Sequence, residues 1–128
     1  MDITPSVPAE SQRIDSYWPG GFRINGVAIH GSMIVTPDSR QEWPVRTFDD
    51  LSIEHLLTAK NILDMPPEVM LLGCGQRMQP LNRDLRLQAQ EHSVVLDLMD
   101  TGAACRTYNI LLAEGRRVVA ALIALPEN

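Results

Sequence analysis

The spacing of hydrophobic residues changes character half-way along the chain. Between Gln12 and Val35 the apolar residues fall in short runs rich in β-branched and aromatic side chains: Arg13 to Trp18, Phe22 to Ile29 and Ser32 to Val35. Pro19-Gly20-Gly21 and His30-Gly31 separate these runs. Glycine at such breaks supplies the positive φ that tight reversals need, so the pattern predicts an antiparallel meander. Thr36-Pro37-Asp38-Ser39 has turn chemistry. Glu42 to Val45 reads as a short edge strand, because Pro44 has no N–H to give a central ladder. Residues 1–11 carry Pro5 and Pro8 among polar neighbours without periodicity, and read as a flexible or loosely docked tail ahead of one ordered domain over residues 12–128.

A helical period follows. Ile53, Leu56, Leu57 and Ile62 share a face, with Asp50 or Ser52 as the cap and Met65-Pro66-Pro67 as the stop. Beyond the prolines the apolar residues gather into continuous runs. Val69 to Leu72 ends in Gly73-Cys74-Gly75, and Leu81, Leu85 and Ala89 then recur on a helical face that Pro80 opens. Val94 to Met99 is a second run, Gly102 to Ala113 a second helix and Arg117 to Leu125 a third run. Uninterrupted Val, Leu and Ile, rather than alternation, point to strands covered on both faces, as in a parallel sheet with crossover helices. Tyr108 to Leu112 and Val118 to Leu122, around Glu114-Gly115, also allow a hairpin. The alanines and leucines between Ala103 and Ala113, capped by Asp100 or Thr101, favour helix followed by strand. The expected fold class is therefore α/β, a single domain whose mixed sheet has an antiparallel N-terminal meander followed by β-α-β-α-β.

Composition narrows the function classes more than the fold. A chain of 128 residues, 45% hydrophobic and 21% charged, is of ordinary globular make-up and has room for one core. Its longest apolar run, Val118 to Leu125, is about eight residues, against the roughly 20 that a membrane-spanning helix needs. Met1 to Glu10 shows neither the basic nor the apolar region of a secretory signal, so the expectation is a soluble cytoplasmic protein with no membrane insertion. The net charge is -5 and the basic residues are scattered, with Arg116-Arg117 the only adjacent pair. No stripe of cations could neutralise a row of phosphates, and nucleic acid is not an expected partner. Cys74 and Cys105 lie far apart and read as thiols in a reducing compartment, while His30, His55 and His92 lack ligand spacing. Neither a metal nor a cofactor is expected.

Two segments carry candidate chemistry. Gly73-Cys74-Gly75, with Arg77 just beyond, follows a buried strand as the first turn of a dinucleotide-binding unit does, but Met78 stands where that fingerprint needs its third glycine. The plainer reading is a tight strand-to-loop turn. The second segment is Thr101 to Arg106, where N–H groups at a helix start could hold an anion or activate a thiol. Cys105 sits about one turn inside; no base is poised beside it, and a small buried thiol packing with Ala104 is the plainer reading. Arg106 could fork a carboxylate or phosphate of a ligand, or pair with Asp97 or Asp100. In a parallel β-α-β unit both segments belong at the carboxyl edge of the sheet, so Gly73, Cys74, Gly75, Arg77, Thr101, Cys105 and Arg106 form the candidate ligand-binding set. No catalytic residue is assigned. His30-Gly31-Ser32 lacks the GxSxG elbow, and Asp49-Asp50 and Asp97/Asp100 read as caps and a strand edge.

Val69 to Gly75 (VMLLGCG), Met99 to Asn109 (MDTGAACRTYN) and Ala113 to Val118 (AEGRRV) carry a family resemblance. With Phe22 to Val35 and Glu68, they resemble a widespread family of small α/β domain proteins over roughly residues 12–125. That family includes the mitochondrial respiratory complex I assembly factor 3 and an adipogenesis-associated vertebrate protein. The resemblance implies a compact mixed-sheet domain and, in the mitochondrial branch, help in assembling a membrane complex. It implies no catalytic residues. The function expected is thus a non-enzymatic interaction or assembly factor with protein partners; the alternative is a small-ligand-binding protein or enzyme using the glycine turn and the helix start near Thr101.

Overall fold

In the computed structural model, which describes residues 11–127, the chain arranges its strands into two sheets. Of the stretch read as a tail only Ser11 falls among the described residues, and it is buried. The smaller sheet is the meander β1 (Ile14–Trp18), β2 (Gly21–Ile24) and β3 (Val27–His30), antiparallel throughout. The run read as one strand from Phe22 to Ile29 is in fact a hairpin. Asn25 (φ 50°) and Gly26 (φ 78°) both occupy the left-handed region, the two-residue turn whose twist matches the flanking strands. Asp15 Oδ2 accepts the Gly26 N–H at 2.7 Å and ties the turn to β1.

The chain then leaves the meander. β4 (Met33–Val35) and β5 (Arg40–Glu42) enter a five-stranded sheet of order β5-β4-β8-β6-β7, with β6 (Val69–Gly73), β7 (Asp97–Met99) and β8 (Val118–Leu122) parallel to one another. β4 runs antiparallel to β5 and β8, which makes the sheet mixed. The edge strand expected at Glu42 to Val45 lies earlier, because Pro44 and the Val45 N–H bond to the Trp43 carbonyl end the ladder. β7 is also shorter than the run Val94 to Met99. Val94 N–H bonds back to the Ala89 carbonyl, so the chain is still finishing the preceding helix there.

Burial explains the uninterrupted apolar runs. Every residue of β8 is buried, with Val119, Ala121 and Ile123 facing one core and Val118, Ala120 and Leu122 the other. β6 divides likewise, Met70, Leu72 and Cys74 against Leu71. Helices α1 (Ile53–Lys60) and α2 (Arg83–Glu91) cover the first face, and α3 (Thr101–Ala113) with the meander covers the second. Ser52 caps α1: its Oγ accepts the His55 N–H while His55 Nδ1 accepts the Ser52 N–H. α2 opens at Asn82, whose side chain accepts the Leu85 N–H at 2.8 Å, and not at Pro80. Asp100 caps α3 through the Ala103 N–H, and the helical reading of Tyr108 to Leu112 holds. Asn109 fastens the meander to α3 by bonding both the N–H and the carbonyl of Ile14.

Candidate functional site

The β6-α2-β7 crossover steps outward in the sheet, and the β7-α3-β8 crossover steps back over β6. With connections of one hand, such a reversal puts the two helices on opposite faces and leaves a switch point between the carboxyl ends of β6 and β7. Gly73 ends β6 there, Cys74, Gly75 and Arg77 follow it, and Thr101, Cys105 and Arg106 lie on the helix that follows β7. The two segments are in direct contact.

Thr101 is what joins them. Its N–H donates to the Gly75 carbonyl at 2.8 Å, its hydroxyl accepts the Gly75 N–H at 2.9 Å, and the same hydroxyl donates to the Ile123 carbonyl at 2.6 Å. One fully buried threonine therefore stitches the β6 turn, the α3 start and the end of β8. Gly73 is glycine because α3 comes so close: a Cβ would stand 3.0 Å from both Thr101 Cα and Oγ1. Gly75 is glycine for its backbone, at φ +103° with open space around a hypothetical Cβ. At Gly102 a Cβ would collide with the Tyr17 hydroxyl, so β1 closes over the helix start.

The thiols at this edge are buried and protonated. Burial pushes the Cys105 thiol up to about 12, with Asp100 adding to the rise and the neighbouring Arg106 opposing it. Burial likewise raises Cys74, against the contrary effect of the Gln79 and Met99 main chain. A thiol held neutral at physiological pH is a poor nucleophile, which favours the packing reading of Cys105. Arg106 is exposed and donates to the Tyr17 hydroxyl at 3.2 Å; the pairing weighed with Asp97 or Asp100 is not among the described ion pairs. Arg77 is exposed in the loop beyond Gly75. At this edge the N–H groups of Gly75, Thr101 and Ala103 bond to protein oxygens, and Arg77 and Arg106 are both exposed residues, with Arg106 tied to Tyr17.

Sequence reasoning missed Tyr17 and the Ile123 carbonyl, the partners that lock this edge. No local signal marks them, since each reaches the edge from a strand distant in sequence. The largest described cavity, of about 750 Å3, lies elsewhere, between the His30-Gly31-Ser32 turn, Trp43 and Glu127. His30 Nε2 stands 3.3 Å from Glu127 Oε1 at its mouth, both side chains exposed, and Ser32 Oγ is taken by the Ala124 N–H at 2.9 Å. Among the described residues no group of three or more His, Cys, Asp or Glu could hold a metal ion, and no helix is long and apolar enough to cross a membrane.

Residues 14–123, spanning both sheets and all three helices, match the family described as protein of unknown function DUF498/DUF598. The chain belongs to this family. Among its relatives, a zebrafish (Danio rerio) protein named NADH dehydrogenase [ubiquinone] 1 alpha subcomplex assembly factor 3 is 35% identical over 113 residues, 88% of this chain and 64% of its own length. The chain thus spans less than two thirds of that relative. A Rhodobacter capsulatus protein, named as uncharacterized, is 34% identical over 88% of this chain and 85% of its own length. A crystal structure from Bordetella parapertussis superimposes with a TM-score of 0.79 at 35% identity, covering 91% of this chain and 99% of that one. A Bordetella pertussis solution structure described as an Mth938-like domain gives 0.78 at 29% identity, covering 100% of this chain and 95% of that one. The mixed α/β architecture is therefore shared with these two solved structures.

Proposed function

We propose that this chain assists the assembly of a multisubunit respiratory complex by binding its protein components rather than by catalysing a reaction. The reading is carried by one observation: relatives named as NADH dehydrogenase assembly factors align at 30–35% identity across nearly the whole of this domain. In an assembly factor the work is selective binding, so the demand on the fold is a rigid scaffold with a partner-specific surface. The Thr101 stitch supplies rigidity at the switch point. In this reading the chain acts in the cytoplasm on components that are not yet in place, and its partners are proteins. Native-gel quantification of assembled NADH dehydrogenase, in cells with and without the gene, tests it. A deficit restored by the wild-type chain is expected, and unchanged assembly would refute the reading.

A second reading has its own support. The switch point is where ligands of such sheets bind, and Arg77 and Arg106 offer guanidinium groups beside it. Gly73, Cys74, Gly75, Arg77, Thr101, Cys105 and Arg106 would then form a small-anion or nucleotide site. A ligand that binds only the folded chain raises its melting temperature, so thermal shift against nucleotides and small anions decides the matter. Shifts abolished by Arg106→Ala would favour this reading, and flat melting curves would remove it.

A further inference from the structure

Asn25-Gly26 is the only Asn-Gly pair in the sequence, and it forms the tip of the β2-β3 hairpin with Gly26 exposed. Such a pair is especially open to spontaneous deamidation, because glycine has no Cβ to hinder attack of its nitrogen on the asparagine side chain. In that reaction the Gly26 nitrogen gives up its proton and bonds to Asn25 Cγ. The Cγ–Nδ2 bond breaks, and Nδ2 leaves with a proton as ammonia. Water then opens the five-membered imide at either carbonyl, leaving aspartate or isoaspartate at position 25.

The folded hairpin holds the reacting atoms apart. Ring closure needs Asn25 Cβ and the Gly26 nitrogen eclipsed about the Cα–C bond of Asn25. In the left-handed region, where Asn25 sits at φ 50°, the two stand nearly opposite each other. Both groups are also tied to β1 and the residue that leads into it. The Gly26 N–H donates to Asp15 Oδ2 at 2.7 Å, and Asn25 Oδ1 accepts the Arg13 N–H at 2.8 Å. The Asn25 N–H donates in turn to the Arg13 carbonyl at 3.0 Å. Rotating Asn25 into the attacking geometry therefore swings the Gly26 N–H off Asp15 and draws Oδ1 off Arg13. The Asp15 carboxylate, steadied by Arg13 Nε at 3.4 Å from Oδ1, opposes the reaction in a second way. A negative charge beside the Gly26 nitrogen disfavours loss of its proton.

We infer that Asn25 is a deamidation site gated by β1: the Arg13 and Asp15 clamp keeps it intact in the closed meander, and separation of β1 from the hairpin lets it react. The step runs one way, because ammonia is lost. Its product disturbs the fold. A carboxylate replaces the amide near Asp15, and isoaspartate adds a methylene to the main chain of a two-residue turn that sets the register of β2 against β3. The meander shares a core with α3, where Asn109 holds β1 through both main-chain groups of Ile14. Modification at position 25 thus records an opening of this layer and hinders its closing. The inference stands apart from the assembly role, and neither depends on the other.

The test is peptide mapping by mass spectrometry, with fragmentation that separates aspartate from isoaspartate, on the full chain held in warm, mildly alkaline buffer. The folded wild type is expected to convert at position 25 at least about tenfold more slowly than the same chain in urea, since reaction is confined to the locally opened fraction. Asp15→Ala, confirmed as folded by circular dichroism, is expected to react about tenfold faster than the folded wild type, because it loses a charge-assisted hydrogen bond. Equal rates in the folded and unfolded wild type would overturn the inference, as would no conversion at position 25 in urea. An unchanged rate in folded Asp15→Ala would overturn it too. A slower rate in that variant would make the carboxylate the base of the reaction rather than its restraint, and would equally sink the clamp. Should Asp15→Ala fail to fold, Asp15→Asn, which keeps an acceptor without the charge, and the wild-type comparison decide in its place.

Discussion

Replacing Thr101 with valine keeps the shape of the side chain and removes only its hydroxyl. Two partners are then left behind in the interior: the Gly75 N–H, now 2.9 Å from an absent acceptor, and the Ile123 carbonyl, now without its 2.6 Å donor. A buried polar group stripped of its partner costs about 1–3 kcal/mol, because it recovers no water in exchange. Taken together the loss is about 3 kcal/mol, a large share of the roughly 5–15 kcal/mol that stabilises a domain. For a chain of this size that lowers the melting temperature by about 10 °C. Urea unfolding followed by circular dichroism reads the change as a lower midpoint with an unaltered slope. Thr101→Ser keeps the hydroxyl and is expected to lose only about 1 kcal/mol, the worth of one buried methyl. If Thr101→Val unfolded within 0.5 kcal/mol of the wild type, the hydroxyl would not be the stitch described above.

Other expectations follow from the same packing. Val119→Asp and Leu122→Asp each put a carboxylate into one of the two cores flanking β8, a cost of several kcal/mol that should abolish the native circular dichroism; a variant that melted like the wild type would contradict the buried-strand assignment. With the Cys105 thiol raised to about 12, its thiolate fraction at pH 8 is roughly a thousandfold below that of an ordinary thiol. Alkylation of the native chain should therefore be slow and become fast in urea, whereas rapid native labelling at Cys105 would refute its burial. The Arg117 N–H, together with the side chains of Arg116 and Arg117, holds Glu68 below its ordinary 4.5. A carboxylate depressed in the folded state stabilises above its unfolded pKa and loses that contribution as pH falls through the lower folded value. Glu68→Gln should accordingly be less stable than wild type at neutral pH, and the difference should vanish on acidification below 4.5; a gap that persisted into acid would contradict the pairing.

The legible part of this fold is the part in which one residue's environment repeats at a fixed period. Val118 to Leu122 and Val69 to Leu72 are apolar without alternation because both faces of their strands are covered, and that pattern sufficed to order the β-α-β-α-β half. Caps were legible to within a residue or two for the same local reason: Ser52 stood beside Asp50 as a candidate, and Asp100 beside Thr101. The hairpin at Asn25-Gly26 carries the strongest short turn signal in the chain, yet the apolar residues on either side, Phe22, Ile24, Val27 and Ile29, read as one strand across it. That β4 leaves the meander to pair with β8 is a long-range choice, made by Met33 and Val35 entering the core under α3 while Ile34 enters the other. At the carboxyl edge, the meeting of Gly73–Gly75 with Thr101 followed from topology alone. Its closure by Tyr17 and Ile123 did not, because neither residue is near the motif in sequence.

The assembly role is tested most directly by where the chain travels during biogenesis of the complex. Pulse-labelled cell membranes resolved on native gels, with the chain detected by quantitative mass spectrometry in each band, give its distribution between partial and completed NADH dehydrogenase. The account predicts that it migrates with partly assembled species, declines as they are chased into the finished complex, and is absent from that complex. A chain that never migrates with those intermediates, while the complex forms at the normal rate in its absence, would contradict the account.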